Sequence, residues 1–264
     1  MAAAPLEVSM LRARFGEREI LKGVSLRLAP ATIGVVLGGS GCGKSTLLRH
    51  CVGLLRPTAG TVRALGHDLF EANEAELRRL RMSMGVLFQS GALLGDLTVR
   101  QNVMLPMRML AGYPEDLARE VAQTKLSWLG LGEAAHVLPS ALSGGMRKRA
   151  ALARALALEP ALLFCDEPSA GLDPVTAADL DQLLLRTRDT FGTTMLVVTH
   201  ELESISALAD HVIMLAGGVV VADGPLAAVR QSEQPEVRRF FSRQGRADGP
   251  APGRSLFDAL GATL

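Results

Sequence analysis

The chain has 264 residues, 48% of them hydrophobic and 4% aromatic, and its 28 Lys+Arg against 27 Asp+Glu leave a formal charge of +1. That much apolar material can bury a large core, which excludes general disorder. The balanced charge, with one Trp and one Tyr, supplies neither the field nor the stacking platforms of a nucleic-acid binder.

Leu6 to Leu28 alternates apolar and polar positions around a turn at "FGERE" and reads as two strands. "TIGVVL" is a β-branched strand running into Gly38, a glycine loop follows, and "KSTLLRHCVGLL" reads as a helix. "ANEAELRRLRMS" predicts a helix and "MGVLFQ" a strand. Leu97 to Leu131 is helical with a break at "AGYP", where Pro114 suits a new helix start. Beyond it, "ALLFCDE", "VTAADLDQLLLRTRD", "TTMLVVTH" and "ELESISALAD" alternate strand and helix, the pattern of a parallel sheet covered on both faces. The expected fold is α/β, a parallel-sheet core with antiparallel strands at the N-terminus and a helical insertion at about residues 97–158.

No apolar run reaches the roughly 18 residues needed to span a bilayer. The longest, Val212 to Ala222, is broken by Gly217-Gly218 and reads as a hairpin of buried strands. "MAAAPLEVSM" lacks a basic n-region, so a soluble chain that reaches membranes only through partners is expected. Cys42, Cys51 and Cys165 have no CxxC or metal spacing, which points to reduced thiols in a cytosolic compartment. Residues 1–244 are expected to form one domain. In "PEVRRFFSR" Val237, Phe240 and Phe241 share one helix face, the linker "GRADGPAPGRS" follows, and Leu256, Phe257 and Leu260 make residues 245–264 a candidate docking tail for a neighbouring subunit.

"GGSGCGKST" (Gly38, Gly39, Ser40, Gly41, Cys42, Gly43, Lys44, Ser45, Thr46) fits G-x-x-x-x-G-K-[ST] between a strand and a helix. Such a loop turns backbone N–H groups around phosphates and adds the positive end of a helix. Lys44 would reach the β- and γ-phosphates, and Ser45 would ligate Mg²⁺. "ALLFCDE" ends in two carboxylates: Asp166 suits a group holding Mg²⁺, and Glu167 one that polarises an attacking water. Gln89 and His200 each close a strand, where α/β sheets place ligand-binding groups. Ser143, Gly144 and Gly145 open a second helix suited to an anion, and the glycine pair is more than an ordinary cap needs. Gly145 is expected to let the backbone approach a phosphate.

These motifs, in this order and with "SAGLD" after the paired carboxylates, resemble the ATP-binding cassette family over about Leu6 to Arg243. The resemblance implies a P-loop fold and ATP hydrolysis with Mg²⁺, in a head-to-tail pair of identical cassettes. The second glycine opening would then hold the ATP of the partner. It further implies that Phe15 stacks on adenine, Gln89 senses Mg²⁺ and a membrane subunit, His200 contacts the γ-phosphate, and Asp173 communicates across the dimer. Phe15 stands where Tyr is common and Met146 where Gln is common. "FQSGAL", "LSGGMRKRAALARALALEP", "GLDPVT" and "PEVRRFF" are similar to the Mla-type subgroup, which serves permeases paired with MCE lipid-transfer proteins. That likeness implies phospholipid traffic between the two membranes of a Gram-negative bacterium, driven from the cytoplasmic face of the inner membrane. Its implied partners are integral-membrane permease subunits, a periplasmic-facing MCE protein and a small cytosolic STAS-type subunit, with no nucleic acid. Other import or export cassettes, a non-transport cassette ATPase and a catalytically dead cassette are the alternatives. The presence of Lys44, Asp166, Glu167 and His200 speaks against the last.

Overall fold

A computed structural model describes residues 4–242, so the candidate tail 245–264 lies outside the described residues. Strands β1 (Leu6–Phe15), β2 (Arg18–Leu28) and β3 (Ile33–Gly38) lead into helix α1 (Lys44–Cys51). Then come β4 (Ala59–Ala64), β5 (His67–Asp68), α2 (Glu74–Met82) and β6 (Met84–Leu87). Helices α3 (Val99–Pro106), α4 (Glu115–Trp128) and α5 (Gly144–Ala155) stand between β6 and β7 (Leu162–Asp166). Helix α6 (Pro174–Phe191), β8 (Thr194–Val198), α7 (Leu202–Leu208), β9 (His211–Ala216), β10 (Val219–Gly224), α8 (Leu226–Arg230) and α9 (Pro235–Phe241) complete the order.

Two sheets result. One is antiparallel, ordered β2-β1-β4-β5; the other runs β10-β9-β3-β8-β7-β6, parallel except for the β10–β9 hairpin. The period of the sequence explains the difference. β2 alternates buried and exposed positions along its second half, whereas β3 and β8 are buried throughout, as strands covered on both faces must be. The α/β fold therefore stands as expected.

The two faces of the large sheet belong to two apolar cores. Val35, Leu37, Cys165 and Val197 pack with α3, α5 and α6, while Val36, Phe164, Leu196 and Val198 face α1 and the antiparallel sheet. Residues alternate between cores along each strand, as period 2 requires. The sheet is thus clamped, and its carboxyl ends are fixed points on which a site can be built. Burial pushes the Cys51 thiol up to about 12 and raises that of Cys165 as well, which makes both inert packing groups.

Four expectations need correction. Helix α1 stops at Cys51 rather than continuing through Leu55, because Gly53 takes φ +74° and its N–H closes onto the His50 carbonyl. β10 is half-buried rather than buried, since it forms the edge of its sheet. Gln89 and His200 each lie two residues beyond a strand, not at its last position. Glu167 lies just outside β7 with φ +47°, a left-handed backbone that non-glycine residues rarely adopt.

Candidate functional site

The loop after β3 is shaped by glycines that have no substitute. Gly38 has φ +146° with no room for a Cβ beside the Leu215 carbonyl, and Gly43, with φ +107°, would push a Cβ to 2.7 Å from Leu21. Gly43 also serves as the N-cap of α1 without any side-chain hydrogen bond, so the first N–H groups of α1 receive no cap from a side chain. Lys44 Nζ donates to the carbonyls of Gly38 (2.8 Å) and Gly39 (3.2 Å), which holds the ammonium across the loop. Gly39, Ser40 and Gly41 are exposed and Thr46 half-buried, while Cys42 is buried. Ile20 and Leu21 of β2 lie against Gly43, and Phe15 pairs with Arg18 beside the β1–β2 turn. Phe15 is 52% exposed there, an open aromatic face.

The carboxyl end of the parallel sheet supplies the acidic half. Ser45 Oγ donates to Asp166 Oδ1 at 3.3 Å, so α1 and β7 bring a hydroxyl and a carboxylate to one point. Burial, helped by the neighbouring Glu167 charge, raises the Asp166 pKa, while the Ser45 hydroxyl, Arg49 and Lys44 oppose the shift. An oxygen-only donor pair suits a hard cation such as Mg²⁺. Glu167 is buried; its Oε1 lies 2.9 Å from His200 Nδ1, so the Nδ1–H tautomer donates to the carboxylate. Among the described residues its Oε2 is buried without a hydrogen-bond partner, which leaves that oxygen open to accept.

Ser143 and Gly144, the second glycine opening and expected signature of a cassette, are exposed at the start of α5, where Ser143 caps the helix by accepting from Met146 N at 3.2 Å. Gly145 carries a constraint within its own chain besides the approach to a phosphate expected from the sequence. A Cβ there would collide with the Thr176 side chain of the same chain, so its size is set first by the packing of α5 on α6. Asp173 caps α6, accepting from Val175 N (3.1 Å) and Thr176 N (3.0 Å), and its pKa is lowered chiefly by the Thr176 hydroxyl. Ser45, Asp166, Lys44, Glu167 and His200 thus form one constellation. Ser143, Gly144 and Asp173 are exposed, and no hydrogen bond among the described residues joins the Gln89 amide to Ser45 or Asp166.

One buried residue escaped the sequence reading. Lys148, on α5, donates to the Gln89 carbonyl at 2.6 Å and to the Glu167 carbonyl at 3.1 Å. Desolvation lowers its pKa, against the pull of the neighbouring acidic groups. The signal was present: Lys148 falls on the helix face of Gly145, Ala151 and Leu152, three and four positions away, where a free lysine has no reason to be.

A glycine loop opening onto a helix, a hydroxyl–carboxylate pair and a buried glutamate backed by histidine, at the carboxyl ends of a clamped parallel sheet, define a P-loop nucleotide hydrolase. Comparison with known proteins narrows the class. The ABC transporter family model matches residues 21–170. Over 239 residues the chain is 40% identical to the intermembrane phospholipid transport system ATP-binding protein MlaF of Escherichia coli K12, covering 90% of this chain and 88% of that protein. Its likeness to MlaF of Haemophilus influenzae is 38% over 245 residues, 93% of this chain and 92% of that one. It is also 40% identical over 245 residues to the probable ribonucleotide transport ATP-binding protein mkl of Mycobacterium tuberculosis, covering 93% of this chain and 68% of that protein. Among solved structures, a dimeric ATP-binding cassette in a post-hydrolysis state bound to ADP and Pi superposes with TM-score 0.76 at 30% identity, over 84% of this chain and 98% of that chain. A nucleotide-free cassette superposes with TM-score 0.79 at 25% identity, over 90% and 99%. The chain belongs to the ABC transporter family, as an ATP-binding and ATP-hydrolysing cassette.

Proposed function

We propose that this cassette powers phospholipid traffic between bacterial membranes, acting as a head-to-tail dimer beneath integral-membrane permease subunits. The observation carrying the substrate is the end-to-end likeness to two MlaF proteins, 92% and 88% of whose lengths are matched. The mycobacterial relative, a probable ribonucleotide transport protein, is matched over 68% of its length. Ribonucleotide transport is therefore the second reading. Among the described residues no helix is long and apolar enough to cross a membrane. The place proposed for the chain, through its permease partners, is the cytoplasmic face of the inner membrane. An MCE protein and a STAS-type subunit complete the proposed assembly, and residues 245–264 are proposed as the tail that docks on a neighbour.

In this reading the ATP phosphates lie in the Gly38–Thr46 loop, with N–H groups of α1 and the Lys44 ammonium facing their charge. Phe15 covers the adenine. Ser45 and Asp166 fit Mg²⁺, with Gln89 as a further ligand; the ion supplies charge neutralisation at the phosphates. Glu167 Oε2, buried and unpartnered, orients the water that attacks the γ-phosphorus, and His200 holds the carboxylate through Oε1. Ser143 and Gly144 of the second copy close the site from its open side, and Asp173 lies beside that junction.

Purifying the complex from its native membrane and identifying the copurified proteins and lipids tests the substrate. Permease subunits with enriched phospholipid, and ATP-dependent transfer of labelled phospholipid between vesicles, are expected. A complex that turned over ATP only with a ribonucleotide would replace the lipid reading with the second one.

A further inference from the structure

The basic run "RKRAALAR" of α5 looks like a solvated face in the sequence, yet its cations donate to backbone carbonyls. Arg147 donates to Leu142 O (2.6 Å), Arg149 to Leu129 O (3.3 Å), and Arg154 to Gly91 O (2.8 Å) and Ala92 O (2.7 Å). Lys148 is only 7% exposed, and its two carbonyl partners belong to Gln89, two residues beyond β6, and Glu167, the residue after β7. These are neighbouring parallel strands, and the two residues are the proposed Mg²⁺-sensing glutamine and water-orienting carboxylate.

We propose that Lys148 is a positioning residue for hydrolysis, a link that ties helix α5 to the backbone of the glutamine loop and of Glu167. The proposal rests on the reading of Glu167 given above. An ammonium carries three donors, and two are committed to carbonyls whose orientation decides where the attached side chains point. Glu167 needs such a hold because its backbone has φ +47°, outside the range that L side chains favour. Its N–H is tied to Val198 O at 2.8 Å, but its carbonyl has only Ala170 N (3.2 Å) and Lys148. Since α5 begins at the exposed Ser143-Gly144 opening, whatever seats on that opening bears directly on Lys148, one turn along the same helix. Arg154 extends the grip to Gly91 and Ala92, so the loop from Gln89 to Ala92 is suspended from α5 at three carbonyls. Engagement of one copy's signature by the other copy's nucleotide would thereby set the carboxylate geometry within the signature-bearing chain, coupling the two sites of a dimer.

The full-length protein tests this with Lys148→Met, Lys148→Arg and, as a control on the site reading, Glu167→Gln. Steady-state ATP hydrolysis, binding of a fluorescent ATP analogue and amide hydrogen exchange of the nucleotide-free protein are the readouts. Lys148→Met should lower kcat by roughly 10–100-fold, the scale of a misplaced catalytic group, with KM for ATP and analogue affinity unchanged. Exchange at residues 89–94 should quicken while residues 38–46 stay as they were. Lys148→Arg should restore kcat, because a guanidinium can also serve two carbonyls. Unchanged kcat in Lys148→Met, or a fall in kcat and affinity together that Lys148→Arg does not rescue, overturns the proposal. Should Lys148→Met fail to fold, Lys148→Gln takes its place, and failure of both marks the residue as a fold staple and likewise overturns it. Full activity of Glu167→Gln would instead remove the site reading itself; an inactive Glu167→Gln beside a fully active Lys148→Met would remove only the link.

Discussion

The two glycine-rich helix openings use the same letters for opposite physical ends. In the first, Gly38, Gly41 and Gly43 adopt positive φ, the loop curls, and α1 is left without a side-chain cap. In the second, Gly144 and Gly145 sit in ordinary helical geometry, Ser143 supplies the cap, and the missing side chains leave a flat exposed start at Gly144 and tight packing against Thr176 at Gly145. One opening is a concave cradle with N–H groups that no side chain caps. The other is a finished helix end presenting a smooth surface. A cradle can hold a phosphate within its own chain; a flat, capped helix start is suited to cover a phosphate that another body holds. That contrast is the structural argument for a site shared between two copies.

The largest expected effect lies where, in the proposed dimer, both openings act on one nucleotide. Glu167→Gln should cut ATP hydrolysis by roughly 10²–10⁴-fold, the usual worth of a positioned base, while ATP binding persists. Size-exclusion chromatography with ATP should then find an accumulated dimer, and a variant that stayed monomeric with bound ATP would break the contrast between the openings. Next in size is the separation of binding from closure. Lys44→Ala should weaken ATP binding by the monomer, since it removes the ammonium that spans the loop. Gly144→Asp should leave monomer binding unchanged and abolish the dimer and its hydrolysis, because a Cβ there meets only Leu172 at 3.6 Å. Loss of monomer binding in Gly144→Asp would mean that the second opening serves its own chain. Gly145 is the wrong residue for this experiment, since its substitution disturbs Thr176 as well.

Smaller effects sharpen the difference in capping. Ser143→Ala removes the cap of α5 and should cost about 1 kcal/mol, a fall in Tm of about 2–4 °C for a domain of this size. Calorimetry that found no change would imply that the cap is redundant. The smallest effect lies away from both openings. Asp181 is 4% exposed, and burial raises its pKa from 3.8 to about 6, with Ser204 opposing the shift. The folded state therefore favours the neutral acid: the protein is most stable with respect to this group below pH 3.8, loses that stability as pH rises to about 6, and is level above it. Asp181→Asn should raise Tm by about 2–4 °C at pH 8, the shift that roughly 1 kcal/mol produces, and by nothing near pH 3.5. An equal gain at both pH values would assign the effect to packing rather than charge.

What the sequence disclosed divides along the same line. The cradle was legible because its chemistry is local: glycines, Lys44 and Ser45 are adjacent in the chain and follow a β-branched strand. Strand and helix order was legible for the same reason, each element carrying its own period. The edge position of β10 was not, because burial of a strand depends on its neighbours across the sheet. The pairing of Glu167 with His200 joins residues 33 apart through β7 and β8, and only the sheet brings them together. The packing of Gly145 on Thr176 was not legible, because a missing side chain does not say which neighbours require its absence. Lys148 was passed over because a lysine among other basic residues resembles a solvated face unless its helical position is checked.

Mixing Lys44→Ala protein with Gly144→Asp protein tests the shared site most directly. Each variant alone should be inactive. A mixed dimer, however, holds one site made from the intact cradle of the Gly144→Asp copy and the intact signature opening of the Lys44→Ala copy. The account predicts that hydrolysis returns on mixing and depends on the concentration of both proteins. Two inactive variants that remain inactive together, in a mixture shown to form dimers, would contradict it.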